Sequence, residues 1–237
     1  MASIVRMIRL FSMINPRAGI NLRCRSPSAL TLPCFWISLL CSNQCCGVLF
    51  MRVIAGSARG TRLAAPRGMR TRPTADRVRE ALFSIIQSRY ELDGARVLDM
   101  CAGTGGLGIE ALSRGASTCC FVEKDREALK CLRQNLLATR CAERATLLEM
   151  DLLRALPLLA GRGSRFSIIF FDPPYASELY TPVMRSLSSL ELLEPEGLFI
   201  AESAARAILP EREGCLVRSD RRVYGDTALA LYVLGEE

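Results

Sequence analysis

Histidine is missing altogether from the 237 residues. Its absence removes a His general base, a Ser-His triad and a His-ligated metal from consideration. The eleven cysteines offer no substitute. None stands in Cys-x-x-Cys spacing, and the adjacent pairs Cys45-Cys46 and Cys119-Cys120 suit neither a metal knuckle nor a disulfide framework. They read as small buried hydrophobes in a reducing cytosol, and no metal is expected. A membrane-spanning run is lacking too: the apolar stretch Ala29 to Leu40 is broken by Pro33 and falls short of the roughly 20 residues a bilayer requires. No secretory cleavage pattern follows it, and no internal repeat is evident. A chain of 237 residues that is 50% hydrophobic suffices for one well-cored domain with an appendage.

Acid is absent from one region only. Residues 1–50 carry five arginines, five of the cysteines and no Asp or Glu. This segment reads as a leader outside the folded protein, disordered or loosely helical, with Met51 as the real start; an organelle transit peptide is the alternative. Residues 51–90 hold nine arginines against Asp76 and Glu80, whereas residues 91–237 hold 17 basic and 22 acidic side chains. A basic arm beside an acidic body suits a phosphate-backbone partner. Arg59, Arg62, Arg67, Arg70 and Arg72 lie in a Gly/Pro-rich stretch. After it, Thr74 is placed to cap a helix whose buried stripe is Val78, Leu82 and Ile85 or Ile86 and whose other face carries Arg77 and Arg79. Arg59, Arg72, Arg77 and Arg79 are the candidate contacts to that partner; pairing of these arginines with Asp76 and Glu80 on a solvated face is the plainer reading.

The stretch Phe166-Ser167-Ile168-Ile169-Phe170-Phe171 runs into Asp172, Pro173, Pro174 and Tyr175. An exocyclic amine on a nucleobase is a poor nucleophile because its lone pair is delocalised into the ring. A carboxylate and a carbonyl preceding a proline can each accept one N–H, which localises the lone pair and aims it. Prolines hold those acceptors still and remove competing donors, and Tyr175 can stack on a base taken out of its helix. Punctuation after a strand is the structural alternative.

Upstream, Arg96 to Met100 reads as a strand and Cys101 to Gly108 as a tight loop opening a helix that stops at Arg114-Gly115. The next apolar run ends in Glu123, 20 residues after Gly103, the spacing at which an acid reaches ribose hydroxyls. Gly103-x-Gly105-x-x-Gly108 fits a nicotinamide dinucleotide equally well. The Asp-Pro-Pro-Tyr site separates the two: hydride transfer has no use for it, whereas methyl transfer from S-adenosyl-L-methionine to an amine needs both sites facing each other.

Asp99-x-x-x-Gly103-Thr104-Gly105 followed by Asp-Pro-Pro-Tyr resembles the amino-methyltransferases of the Rossmann-like class. Met51-Arg52-Val53-Ile54-Ala55-Gly56, Arg59-Gly60, Arg72-Pro73-Thr74, Asp76-Arg77-Val78-Arg79-Glu80, Gly115-Ala116 and Tyr224-Gly225-Asp226-Thr227 narrow the likeness. They resemble the bacterial small-subunit ribosomal RNA guanine-N2 methyltransferases, the RsmD-like family, over roughly residues 51 to 234.

The resemblance implies an α/β fold, a seven-stranded mostly parallel sheet flanked by helices, with an RNA-binding extension at residues 51–90 and a catalytic domain at 91–237. It also implies S-adenosyl-L-methionine as cofactor and the N2 amine of a guanine in 16S rRNA or the assembling small subunit as acceptor. A cytoplasmic location, no membrane partner and a monomeric state are expected. The coarse pattern agrees, with strand-like runs at 96–100, 118–123, 145–150, 166–171 and 197–202 alternating with helices, and a closing hairpin at 214–218 and 227–234.

At the strand tips, Asp99 is expected to orient the glycine loop or the donor's amino-acid end, and Glu123 the ribose. Asp151 is expected to meet the adenine amino group or to cap the helix after it, and Glu202 reads as a surface acid. The competing functions are a DNA adenine-N6 or protein glutamine methyltransferase, a nicotinamide oxidoreductase and a catalytically silent RNA-binding module.

Overall fold

The computed structural model describes residues 51–66, 73–174 and 178–235. Helix α1 spans Pro73–Arg89, followed by β1 Arg96–Met100, α2 Gly106–Ser113, β2 Thr118–Glu123, α3 Arg126–Ala138 and β3 Ala145–Glu149. Then come α4 Leu152–Gly161, β4 Phe166–Phe171, α5 Tyr180–Leu190, β5 Leu193–Ala204, β6 Arg212–Glu213, β7 Leu216–Tyr224 and β8 Thr227–Leu234. The strands form one sheet in the order β3-β2-β1-β4-β5-β8-β7-β6. The first five strands are mutually parallel, and β8, β7 and β6 close the sheet in antiparallel fashion. The sheet therefore has eight strands rather than the seven expected, the extra one being the two-residue β6.

Strand β4 is apolar almost throughout because helices cover both faces of the parallel sheet. On one face Leu82 and Phe83 of α1, Ile109 and Leu112 of α2, and Leu129 and Leu132 of α3 pack on Ile168, Phe170, Ile200 and Leu229. On the other, Leu156 and Leu159 of α4 and Val183 and Leu187 of α5 pack on Leu98, Ile169, Phe171 and Phe199. Chain order reverses between β1 and β4, so the crevice at their carboxyl ends is where such sheets bind ligands.

Residues 51–63 fold back on themselves: Val53 N–H donates to Thr61 at 3.0 Å and Leu63 N–H to Met51 at 2.8 Å. This turn is locked to the body by buried polar groups. The Glu110 carboxylate accepts the N–H groups of Ile54 (2.7 Å) and Ala55 (3.0 Å) and the Arg114 guanidinium (2.7 Å). Asn135 accepts from Ala64 N–H and donates to the carbonyls of Ala64 and Thr104. With Val53 and Leu63 in the same core as Phe170, residues 51–66 and α1 share the packing of the sheet they precede.

Helix α1 departs from expectation at both its start and its face. It begins at Pro73, a residue whose fixed φ suits the first helical position, so Thr74 lies inside the first turn instead of capping it. Arg77 is exposed, but Arg79 is turned inward and only 6% exposed. It donates to the Arg52 carbonyl at 2.7 Å and to Asp76 at 3.0 Å. The expected solvent-facing role for Arg79 is corrected accordingly; it shares the inward stripe with Phe83, four residues along the helix.

Candidate functional site

The carboxyl ends of β1, β2, β4 and β5 open onto a cleft of about 1010 Å³. Asp99, Gly103, Glu123, Asp151, Asp172 and Glu202 all line it. The glycine loop is shaped by acids from two strands. Asp99 at the end of β1 accepts the Gly108 N–H at 2.8 Å, fixing the start of α2. Glu123 at the end of β2 accepts Gly103 N–H at 2.7 Å with one oxygen and Lys124 and Asp125 N–H with the other. Gly103 has φ +55, and a Cβ there would meet nothing within 4 Å, so the backbone presents an open cradle to the cleft. Gly108 serves packing: a Cβ there would lie 2.3 Å from Phe121 and 2.6 Å from Cys119.

Asp151 takes up the capping reading and also lines the cleft. It caps α4 by accepting Leu153 N–H at 3.1 Å, lines the cleft, and pairs with Lys124 at 3.0 Å. Arg79 also lines the cleft, and its Nε is buried without a partner among the described residues. An open glycine cradle, an acid at its lip and a buried cation form a set that fits a nucleoside carrying an amino-acid tail, the chemistry of S-adenosyl-L-methionine.

Another part of the cleft wall is built at the ends of β4 and β5. Parallel pairing ends with Phe171 opposite Ala201, so Asp172 and Glu202 follow side by side. Asp172 opens to the cleft and Pro173 behind it is buried. Protein packed around the rest of its carboxyl pushes the Asp172 pKa up to about 6. Burial, followed by the charge of Asp172, pushes Glu202 up to about 8. Asp99 rises to about 7 through burial, opposed by the Gly108 N–H. Glu202 is half-buried, and its backbone carbonyl accepts the Tyr180 hydroxyl at 2.8 Å.

The reading of Glu202 as a surface acid is thus corrected. The missed signal was the adjacency of two parallel runs that both end in acids. Burial raises the pKa of Cys101 to about 12, of Cys120 to about 11 and of Cys119 well above the ordinary thiol range, leaving all three protonated. Tyr175 and Arg72 lie outside the described residues.

With the glycine loop and Asp172 opening into one cavity at the switch point of the sheet, the chain is a Rossmann-like methyltransferase that uses S-adenosyl-L-methionine. Residues 51–233 match the family described as conserved hypothetical protein 95, and the chain belongs to that family of RsmD-like rRNA methyltransferases. It is 41% identical over 182 residues to YlbH of Bacillus subtilis, a candidate rRNA methyltransferase, covering 77% of this chain and 98% of that protein. It is 35% identical over 182 residues to ribosomal RNA small subunit methyltransferase D of Escherichia coli K12, covering 77% of this chain and 89% of the other. Among solved structures, a hypothetical protein of Thermus thermophilus superposes with a TM-score of 0.67 at 35% identity, over 77% of this chain and 99% of that one. Family membership displaces the nicotinamide oxidoreductase reading. Among the described residues, no helix is long and apolar enough to cross a membrane.

Proposed function

We propose that the protein transfers a methyl group from S-adenosyl-L-methionine to the exocyclic N2 amine of a guanine in small-subunit rRNA, acting in the cytoplasm. The observation that carries this reading is the placement of Asp172, a carboxylate open to the same cleft as the glycine loop and followed by a proline that offers no N–H. The bound donor supplies an electrophilic methyl on a positively charged sulfur. Asp172 accepts one amine N–H and a carbonyl preceding Pro173 or Pro174 accepts the other, which draws the nitrogen lone pair out of the ring and orients it. The carboxylate is also the base within reach for the proton that the nitrogen loses as it gains carbon. Glu123 is assigned to the ribose hydroxyls, Asp151 to the adenine amino group, Asp99 to holding the loop and Arg79 to the donor's carboxylate. Tyr175 is assigned to stacking on the extruded base.

RNA is gripped by the turn and helix that precede the sheet. Arg52, Arg59, Arg62 and Arg77 are exposed there, and the Arg52–Arg62 bridge sets two cations directly opposite each other. Exposed arginines grouped in this way suit backbone phosphates, which they contact without sequence preference. Arg72 joins this group by its place in the sequence. The test is incubation with labelled methyl donor and unmodified small-subunit rRNA, followed by nucleoside mapping. Label in N2-methylguanosine is the expected product, and label confined to adenine or absent from RNA sinks the reading.

A further inference from the structure

A second carboxylate stands beside the catalytic one, and methyl transfer as derived above does not use it. Pairing of β4 with β5 ends at Phe171–Ala201, so Asp172 and Glu202 are the next residues on the two neighbouring chains; both line the cleft, and the charge of Asp172 is felt at Glu202. Glu202 sits on the firmer element: β5 runs on to Ala204, Glu202 is opposite Leu229 of β8, and Tyr180 clamps its carbonyl. Among the described residues neither carboxylate has a salt-bridge partner. Two neighbouring acids facing one cleft hinder each other's ionisation. A ligand presenting several donors in a row would relieve them.

Guanine has that edge. Its N2 amine is flanked by N1–H, giving an unbroken run of donors, whereas adenine sets an acceptor nitrogen beside its amine. Building on the guanine-N2 reading, we propose that Glu202 is a specificity-determining residue whose carboxylate accepts the guanine N1–H while Asp172 accepts from the neighbouring amine. Adenine in the same pose would place its N1 lone pair against a carboxylate oxygen. Burial and the charge of Asp172 favour the protonated form of Glu202. The N1–H and the positive charge of a bound donor both favour releasing that proton.

The experiment uses RNA in which the mapped target guanosine is replaced by 2,6-diaminopurine riboside, which keeps the 2-amine but carries an acceptor at N1. Wild-type protein should methylate guanine about 10- to 100-fold faster than the analogue in kcat/KM, the usual range for one mismatched base edge. In Glu202→Gln, whose amide can donate to N1, that ratio should fall to within a few-fold of one or invert. Glu202→Asp, which keeps the charge at shorter reach, should retain the preference at a lower rate. An unchanged ratio in Glu202→Gln, or no preference in the wild type, overturns the proposal while leaving N2 methylation standing. A wild type that leaves guanine unmethylated overturns the activity and this proposal together.

Discussion

Acidification should slow methyl transfer in a way set by the Asp172 carboxylate. Only the ionised form draws an amine N–H hard enough to localise the nitrogen lone pair, and burial raises this carboxyl to about 6. It is then about nine-tenths ionised at pH 7 and about one-tenth at pH 5, a difference of roughly tenfold in rate. The groups sharing the cleft fix the sign. Asp99 and Glu202 are acids that share its charge field, Lys124 is already held by Asp151, and Arg79 is paired with Asp76.

The charge of a bound donor moves the step to lower pH without reversing it. A second, smaller rise is expected as Glu202, raised to about 8, loses its proton. The assay is kcat/KM for RNA from pH 5 to 8.5, with protein stability checked at each pH. The wild-type profile should climb, and Glu202→Gln should lose the upper rise alone. A flat profile between pH 5 and 7, or the same climb in Asp172→Asn, refutes the reasoning.

Other outcomes follow from the same geometry. Glu202 binds its proton more tightly folded than unfolded, so its contribution to stability is present below about pH 4.5 and lost as pH rises through about 8. Glu202→Gln should therefore raise Tm by roughly 2–4 °C at pH 8.5 and leave it unchanged at pH 4.5, read by calorimetry. Asn135→Ala strips partners from buried groups of Ala64 and Thr104. It should cost about 2–4 kcal/mol in denaturant unfolding and weaken donor binding measured by titration. Arg59→Ala and Arg77→Ala should each lower RNA affinity and reduce the slope of log K against log salt by about one, with no effect on donor binding.

The glycine loop and the acid that holds it are legible in the sequence because their signals are local. A strand, a glycine turn and an acid 20 residues on sit within one βαβ unit, and the structure joins them through the Glu123–Gly103 bond. The β4 run announced its own burial and its terminal acid. What escaped were relations between distant segments. Arg79 was placed with Arg77 because both flank the Val78–Leu82–Ile86 stripe, yet the stripe widens to include Phe83 and takes Arg79 inward. Glu202 reads as a surface acid from sequence because its place beside Asp172, 30 residues away, depends on strand register. The short β6 was missed for a related reason: two residues carry no periodicity, and they become a strand only through pairing with Leu216 and Val217.

Asp172→Ala separates donor binding from chemistry most directly. Isothermal titration with S-adenosyl-L-methionine and single-turnover methylation of small-subunit rRNA would be run on the same preparation. Near-wild-type donor affinity with methylation of guanine reduced at least about a hundredfold is expected. Undiminished methylation by that variant would contradict the assignment of this carboxylate to the acceptor amine.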